Sequence, residues 1–135
     1  MQLNITTDYA IRIMVHLAKT GDIVSSRELS EATNVTPSYV LKIMRKLVGH
    51  GLVSQFRGAT GGFSIKKEAK DISLLEIISL MEGTIKLNRC LEDDLYCNNG
   101  RSPQCAVHQL YKGLQAILEE KLASTSLQDV LDGTI

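Results

Sequence analysis

The chain has 135 residues, 44% of them apolar, which suits one domain of ordinary size or a small domain with a helical extension. No apolar run approaches the roughly 18 residues that a membrane span needs. Formal net charge is zero, yet between Ser38 and Lys70 seven bases face the single acid Glu68, leaving +6 there and −6 elsewhere, so the middle of the chain is suited to an anionic partner.

The opening "MQLNITTDYAIRIMVHLA" starts polar and carries Asp8 and Arg12 inside its apolar pattern, unlike a signal peptide. A cytoplasmic chain is therefore expected, in a reducing compartment that works against a disulfide framework. Tyr9, Ile11, Ile13, Met14, Leu17 and Ala18 predict a helix opening near Thr6 or Thr7 and closed by "TGDI". A short second helix begins at "SSRELSEAT", where Ser25 and Glu28 have capping-box spacing and Leu29 and Ala32 are expected to face inward.

The third helix, in "VTPSYVLKIMRKLVGHG", is the best marked. Thr36 can cap it, Pro37 fits the first helical position, and Val35 and Val40 have the spacing of a hydrophobic staple. Val40, Ile43, Met44 and Leu47 form its buried stripe; Ser38, Lys42 and Arg45 share the opposite face, with Tyr39 and Lys46 beside them. Two short helices joined by a tight turn, the second presenting polar and basic groups, predict a helix-turn-helix.

In "LVSQFRGATGGFSI", two β-prone runs, 52–57 and 62–65, flank a turn-forming "GATGG". This predicts a hairpin with Arg57 at its tip and Lys66 just beyond its return strand, which makes the whole a winged helix. Arg57 is then placed for a DNA backbone or minor groove. "DISLLEIISLMEG" predicts a fourth helix, with Ser73 and Glu76 at capping spacing, Gly83 as stop, and Leu75, Ile78, Leu80 and Met81 completing the core. A polar loop follows, then a final long helix from near Cys105, with Val107, Leu110, Tyr111, Leu114, Ile117, Leu118 and Leu122 at helical spacing. A stripe with no internal partner is best matched by the same helix of a second subunit. The expected organisation is mainly α: a winged helix-turn-helix domain over 1–83, then a cysteine loop and C-terminal dimerisation helix over 84–135.

All three cysteines, Cys90, Cys97 and Cys105, fall in that loop, with His108 three residues after the last. Their surroundings, Glu92, Asp93, Asp94, Asn98, Asn99 and Arg101, are too polar for ordinary core thiols. Three thiolates and an imidazole could close a tetrahedral zinc site, but structural zinc favours close ligand pairs, which are absent. The wider spacing favours a larger object such as an iron–sulfur cluster, with zinc the alternative.

"MQLNITTDYAIRIMVHLA", "TPSYVLKIMRKLVGHGLVSQFRGATGGFSI", "DISLLEIISLMEG" and "CLEDDLYCNNGRSPQCAVHQL" together resemble the Rrf-type bacterial transcription regulators, over nearly the whole chain. The resemblance implies a homodimeric winged-helix repressor of a double-stranded DNA operator. Its cysteines would hold a cluster reporting on iron–sulfur supply, nitric oxide or redox state. His108 matches a histidine ligand of [2Fe-2S] members. Asp8 matches an aspartate that, reaching from the partner subunit, completes a [4Fe-4S] site in others. The cysteine loops are slightly longer than is usual in the family, so both fourth ligands stay open.

DNA affinity is expected from Lys42, Arg45, Lys46, Arg57 and Lys66 on phosphates, with Ser38, Tyr39 and Lys42 nearest to base edges. The alternative from another class is a metal- or thiol-containing module that docks a partner protein. An enzyme using Cys105 and His108 fares worst, because no orienting acid, oxyanion donor or substrate-pocket signature accompanies them.

Overall fold

In the computed structural model, which describes residues 1–135, the first helix, α1, runs from Ile5 to Thr20 and is capped at Asn4 rather than at Thr6 or Thr7. The reason is a long-range partner. The Glu82 carboxylate accepts from the Asn4 backbone N–H at 2.6 Å, from Asn4 Nδ2 at 2.7 Å and from the Thr7 hydroxyl at 2.8 Å. A carboxylate at a helix N-terminus satisfies orphan donors and suits the helix dipole, so Thr7 is free to lie fully buried inside the first turn. Ala10, Ile13, Met14 and Leu17 line the inward face, and Gly21 closes the helix in the left-handed region at φ +68.

Helix α2 (Ser26–Thr33) begins as expected, with Ser25 Oγ accepting from the Glu28 N–H at 3.1 Å. Leu29 is buried but Ala32 is exposed; Thr33 takes the inward place, its hydroxyl donating to the Leu29 carbonyl. That bond satisfies the hydroxyl, which is what lets a polar side chain occupy the position. After Asn34, in the left-handed region, helix α3 runs over Pro37–Gly49. Thr36 has the capping backbone conformation, but its hydroxyl makes no capping bond. Val40, Ile43, Met44 and Leu47 are at most 1% exposed, as their spacing demanded.

Strands β1 (Val53–Phe56) and β2 (Gly62–Ile65) form an antiparallel hairpin, Val53 opposite Ile65 and Phe56 opposite Gly62. The first strand is shorter than the run 52–57 by one residue at each end. The wing is tied to the chain before α2 by a single bridge: Val24 and Phe63 exchange both backbone hydrogen bonds at 2.8 Å. Gly62 makes this approach possible, since a Cβ there would lie 2.3 Å from the Val24 carbonyl oxygen.

Helix α4 (Leu74–Glu82) is capped by Ser73 Oγ, which accepts from the Glu76 N–H at 3.1 Å. It buries Leu74, Ile77, Ile78 and Met81, while Leu75 and Leu80, expected in the core, are half-buried. The displacement follows from α4 packing against both α1 and the long helix α5 (Ala106–Ser124), which turns the inward stripe toward two neighbours.

The long helix is not the last. A six-residue helix, α6 (Leu127–Asp132), starts in a full capping box between Ser126 and Asp129 and packs on α1. Backbone bonds from the Leu74 N–H to the Thr125 carbonyl (2.9 Å) and from the Leu127 N–H to the Ile72 carbonyl (2.8 Å) fix the junction. Leu127 is fully buried in the winged-helix core. Burying a leucine is worth about 2 kcal/mol, which adds to the capping box and the two backbone bonds in holding so short a helix in place.

Candidate functional site

Helix α3 turns Ser38, Tyr39, Lys42, Arg45 and Lys46 to solvent, and the hairpin turn exposes Arg57, with Lys66 exposed just beyond β2. Pairing divides the basic residues of this half of the chain. Lys67 binds Glu76 at 3.2 Å and Lys70 binds Glu68 at 3.2 Å, whereas Lys42, Arg45, Lys46, Arg57 and Lys66 form no ion pair within the chain. Five unneutralised cations on a helix face and a wing make a surface suited to a phosphate backbone. Tyr39 is positioned by an edge-on contact with Tyr9, ring centroids 5.8 Å apart, and Arg12 lies 5.3 Å over the Tyr9 ring. Arg12 also donates to the Thr33 carbonyl at the end of α2, at 3.3 Å, and so braces the turn before the recognition helix.

The loop between α4 and α5 folds over the start of α5. Cys90 sits in a short 3₁₀ turn (Arg89–Leu91) and is 7% exposed; Cys97 and Cys105 are half-buried, and Cys105 precedes the first residue of α5. All three thiols and His108 line one pocket of about 280 Å³, together with Asn88, Arg89, Tyr96, Asn98, Ser102, Val107 and Tyr111. Cys90 was expected to be too polar in its setting for burial, but it is covered, and Asn88 Nδ2 donates to its sulfur at 3.3 Å. Backbone N–H groups of Arg101 and Asn99, then Ser102 and Gly100, hold the Cys97 thiol below its ordinary value, favouring thiolate. His108 is 4% exposed and its Nδ1 has no hydrogen-bond partner. A buried imidazole nitrogen left unpaired is costly unless something else binds it.

No three Cys, His, Asp or Glu side chains converge closely enough to hold a single ion. Asp8 does not line this pocket. It lies exposed on α1 in an ion pair with Arg12 at 2.7 Å.

The family model described as "Rrf2: Iron-dependent Transcriptional regulator" matches residues 3–133. The chain belongs to the Rrf2 family of transcriptional regulators. Among solved structures, that of CymR, the global cysteine regulator of Bacillus subtilis, is similar at 26% identity and TM-score 0.75, covering 100% of this chain and 99% of that one. IscR of T. potens has the same fold, at TM-score 0.78 and 23% identity over 100% of this chain and 89% of its own. A Lactococcus lactis protein, YffB, carrying the name of an HTH-type transcriptional regulator, is 29% identical over 99% of this chain and 89% of its own. This Rrf2 regulator is thus not an enzyme, and none of its helices is long and apolar enough to cross a membrane.

In this Rrf2 regulator the apolar residues of α5 divide between two faces. Tyr111, Leu118 and Leu122 are half-buried against the rest of the chain, whereas Val107, Leu110, Leu114 and Ile117 are 47–66% exposed. A feature of α5 that apolar spacing does not reveal is Gln115, 5% exposed. Its Oε1 accepts from the Leu87 N–H at 2.9 Å, and its Nε2 donates to the Ile85 carbonyl at 3.2 Å and to Glu119 at 2.9 Å. Lys86 completes the clamp with an ion pair to Glu119 at 2.8 Å. The strap 84–88 that leads into Cys90 is thereby fastened to α5. The available signal was positional: Gln115 lies seven residues, two helical turns, after His108 and so on its face.

Proposed function

We propose that this Rrf2 regulator is a homodimeric repressor whose operator affinity is gated by an iron–sulfur cluster held by Cys90, Cys97 and Cys105, with His108 as fourth ligand. The observation that carries this reading is the shared pocket, in which three thiols meet a buried imidazole whose Nδ1 has no partner. Backbone N–H groups around Cys97 would offset the negative charge of thiolate ligands. When bound, the cluster supplies thiolate–iron bonds that nitric oxide, oxygen or iron shortage can break. Cys90, Cys97, Cys105 and His108 would in turn tie the 3₁₀ turn, the loop and the start of α5 to one another.

The exposed stripe Val107–Leu110–Leu114–Ile117 is read as the seam to a second copy, because an apolar helical face of this length is unfavourable in water. Through that seam the pose of α5 would set the separation of two recognition helices, and half-site spacing on double-stranded DNA is geometrically strict. Lys42, Arg45, Lys46, Arg57 and Lys66 would bind phosphates, and Ser38, Tyr39 and Lys42 would meet base edges. The setting is a reducing bacterial cytoplasm, where the thiols stay available.

The test is anaerobic purification of the wild type and of single Ala variants at Cys90, Cys97, Cys105, His108 and Asp8. Visible absorption, iron and sulfide content, and operator affinity are read together. Each cysteine change and His108→Ala should abolish or shift the absorption and alter affinity, while Asp8→Ala leaves the absorption intact. Loss at Asp8 with retention at His108 would move the fourth ligand to a residue reaching across the dimer. A colourless wild type containing stoichiometric zinc would refute the cluster.

A further inference from the structure

Helix α3 has one large apolar side chain that its core does not use. Val40, Ile43, Met44 and Leu47 complete the inward stripe at 1% exposure or less, but Leu41 is 45% exposed. Residues three and four apart share a helical face, so Leu41 lies with Ser38 on one side and Arg45 on the other, adjacent to Lys42. The other large exposed apolar group of this helix, Tyr39, is already engaged edge-on by Tyr9. Leu41 thus stands as an aliphatic group in a face otherwise made of a hydroxyl and cations, with nearly half of its surface open to solvent.

That face is the one a helix-turn-helix presents to the major groove. Among the groups on the groove floor, only the C5-methyl of thymine is apolar; the others are hydrogen-bond donors and acceptors. We infer that Leu41 is a specificity-determining residue that packs on a thymine C5-methyl in each half-site. Ser38 and Lys42 flank it with polar contacts, and Arg45 supplies a phosphate contact one turn on. A leucine makes no hydrogen bond, so it discriminates thymine by burying the methyl and disfavours cytosine by leaving the N4 amino group without a partner. The inference rests on α3 entering the major groove of operator DNA, and it names a base that this entry selects.

The experiment starts from a duplex chosen by the full-length, anaerobically purified protein out of a randomised library. Each thymine of the selected duplex is then replaced, one at a time, by deoxyuridine, which removes only the methyl. The wild type should lose about fourfold in affinity at one thymine per half-site, the change that burial of a single carbon supports. Leu41→Ala and Leu41→Gln should bind the parent duplex more weakly and lose that sensitivity, while responding to all other positions as the wild type does. Two variants guard against a local defect in either, and Leu41 is exposed enough that neither disturbs the core. A selected duplex at which the wild type ignores every deoxyuridine would overturn the inference alone. So would unchanged methyl sensitivity in both variants. Failure of the library to yield any preferred duplex would overturn operator binding, and this inference with it.

Discussion

Replacing Gln115 by Ala should release the strap 84–88 from α5 without unfolding the winged helix. The side chain is 5% exposed and makes three hydrogen bonds, two of them to backbone groups of Leu87 and Ile85. Glu119 keeps Lys86 at 2.8 Å, so loss of the third bond costs little. The Leu87 N–H and Ile85 carbonyl lose their partner, at about 1 kcal/mol each where water can partly replace it, as it can in a half-buried strap. The sum, about 2 kcal/mol, corresponds to roughly a 30-fold rise in local opening. The assay is amide hydrogen exchange at Leu87, read residue by residue. Because 84–88 lie outside the buried core cluster, the global unfolding midpoint should move much less. Cys90, three residues on and 7% exposed, should react faster with iodoacetamide in the same variant. Leu87 exchange within about threefold of wild type, with unchanged Cys90 labelling, would refute the clamp.

Gly62→Ala should destabilise the fold by about 2 kcal/mol or more, because the added Cβ meets the Val24 carbonyl oxygen at 2.3 Å and must break the bridge to Phe63; urea denaturation reads it, and a neutral result would remove the bridge from the account. Arg89, hydrogen-bonded to both Asp94 oxygens, pulls that carboxyl from 3.8 down to about 2, with the Tyr96 N–H adding to the effect. A depressed folded value means that the stabilisation of this turn is fully present above about 4 and is lost as pH falls through about 2. Titration of the Tyr96 ring signals by NMR should follow it, and Asp94→Asn should abolish the step. Leu114→Glu with Ile117→Glu should yield monomers by sedimentation, since two carboxylates per chain would be buried in the proposed seam; dimers of the variant would place the interface elsewhere.

The parts of this structure that sequence makes legible are those whose causes are local. Pro37 at the first helical position and four apolar residues at helical spacing are sufficient to set α3 and, with it, the side that faces outward. The α2 and α4 caps are legible for the same reason, since Ser25 and Ser73 each meet a donor three residues away. Where the cause is distant, the pattern misleads. Thr6 and Thr7 look like caps, but α1 is capped at Asn4 by a carboxylate 78 residues away. One local cause also escapes the pattern: Ala32 and Thr33 exchange places because Thr33 satisfies its hydroxyl four residues back on its own helix, which apolar spacing does not register. A six-residue α6 leaves too little periodicity to be recognised, and the Val24–Phe63 bridge involves only one residue on each side. The candidate pocket is legible as a crowd of cysteines, whereas the burial of Cys90 and of His108 depends on the fold of a loop with no periodicity at all.

The short helix at the end of the chain changes what the long one can do. Helix α5 has 19 residues and so spans about 28 Å. Its far end is pinned by Thr125 and Leu127 on the winged-helix core, and its near end begins at the pocket with Cys105. The far end is its bearing on the core, while α4 and the Gln115 clamp brace it mid-span. A tilt of about 5° around that bearing sweeps the near end through roughly 2.5 Å, so restraint of Cys105 to within ~0.5 Å would limit the tilt to about 1°. A small tolerance at one sulfur atom therefore becomes a tight angular tolerance for the whole rod, added to the bracing that α4 and the Gln115 clamp already give it.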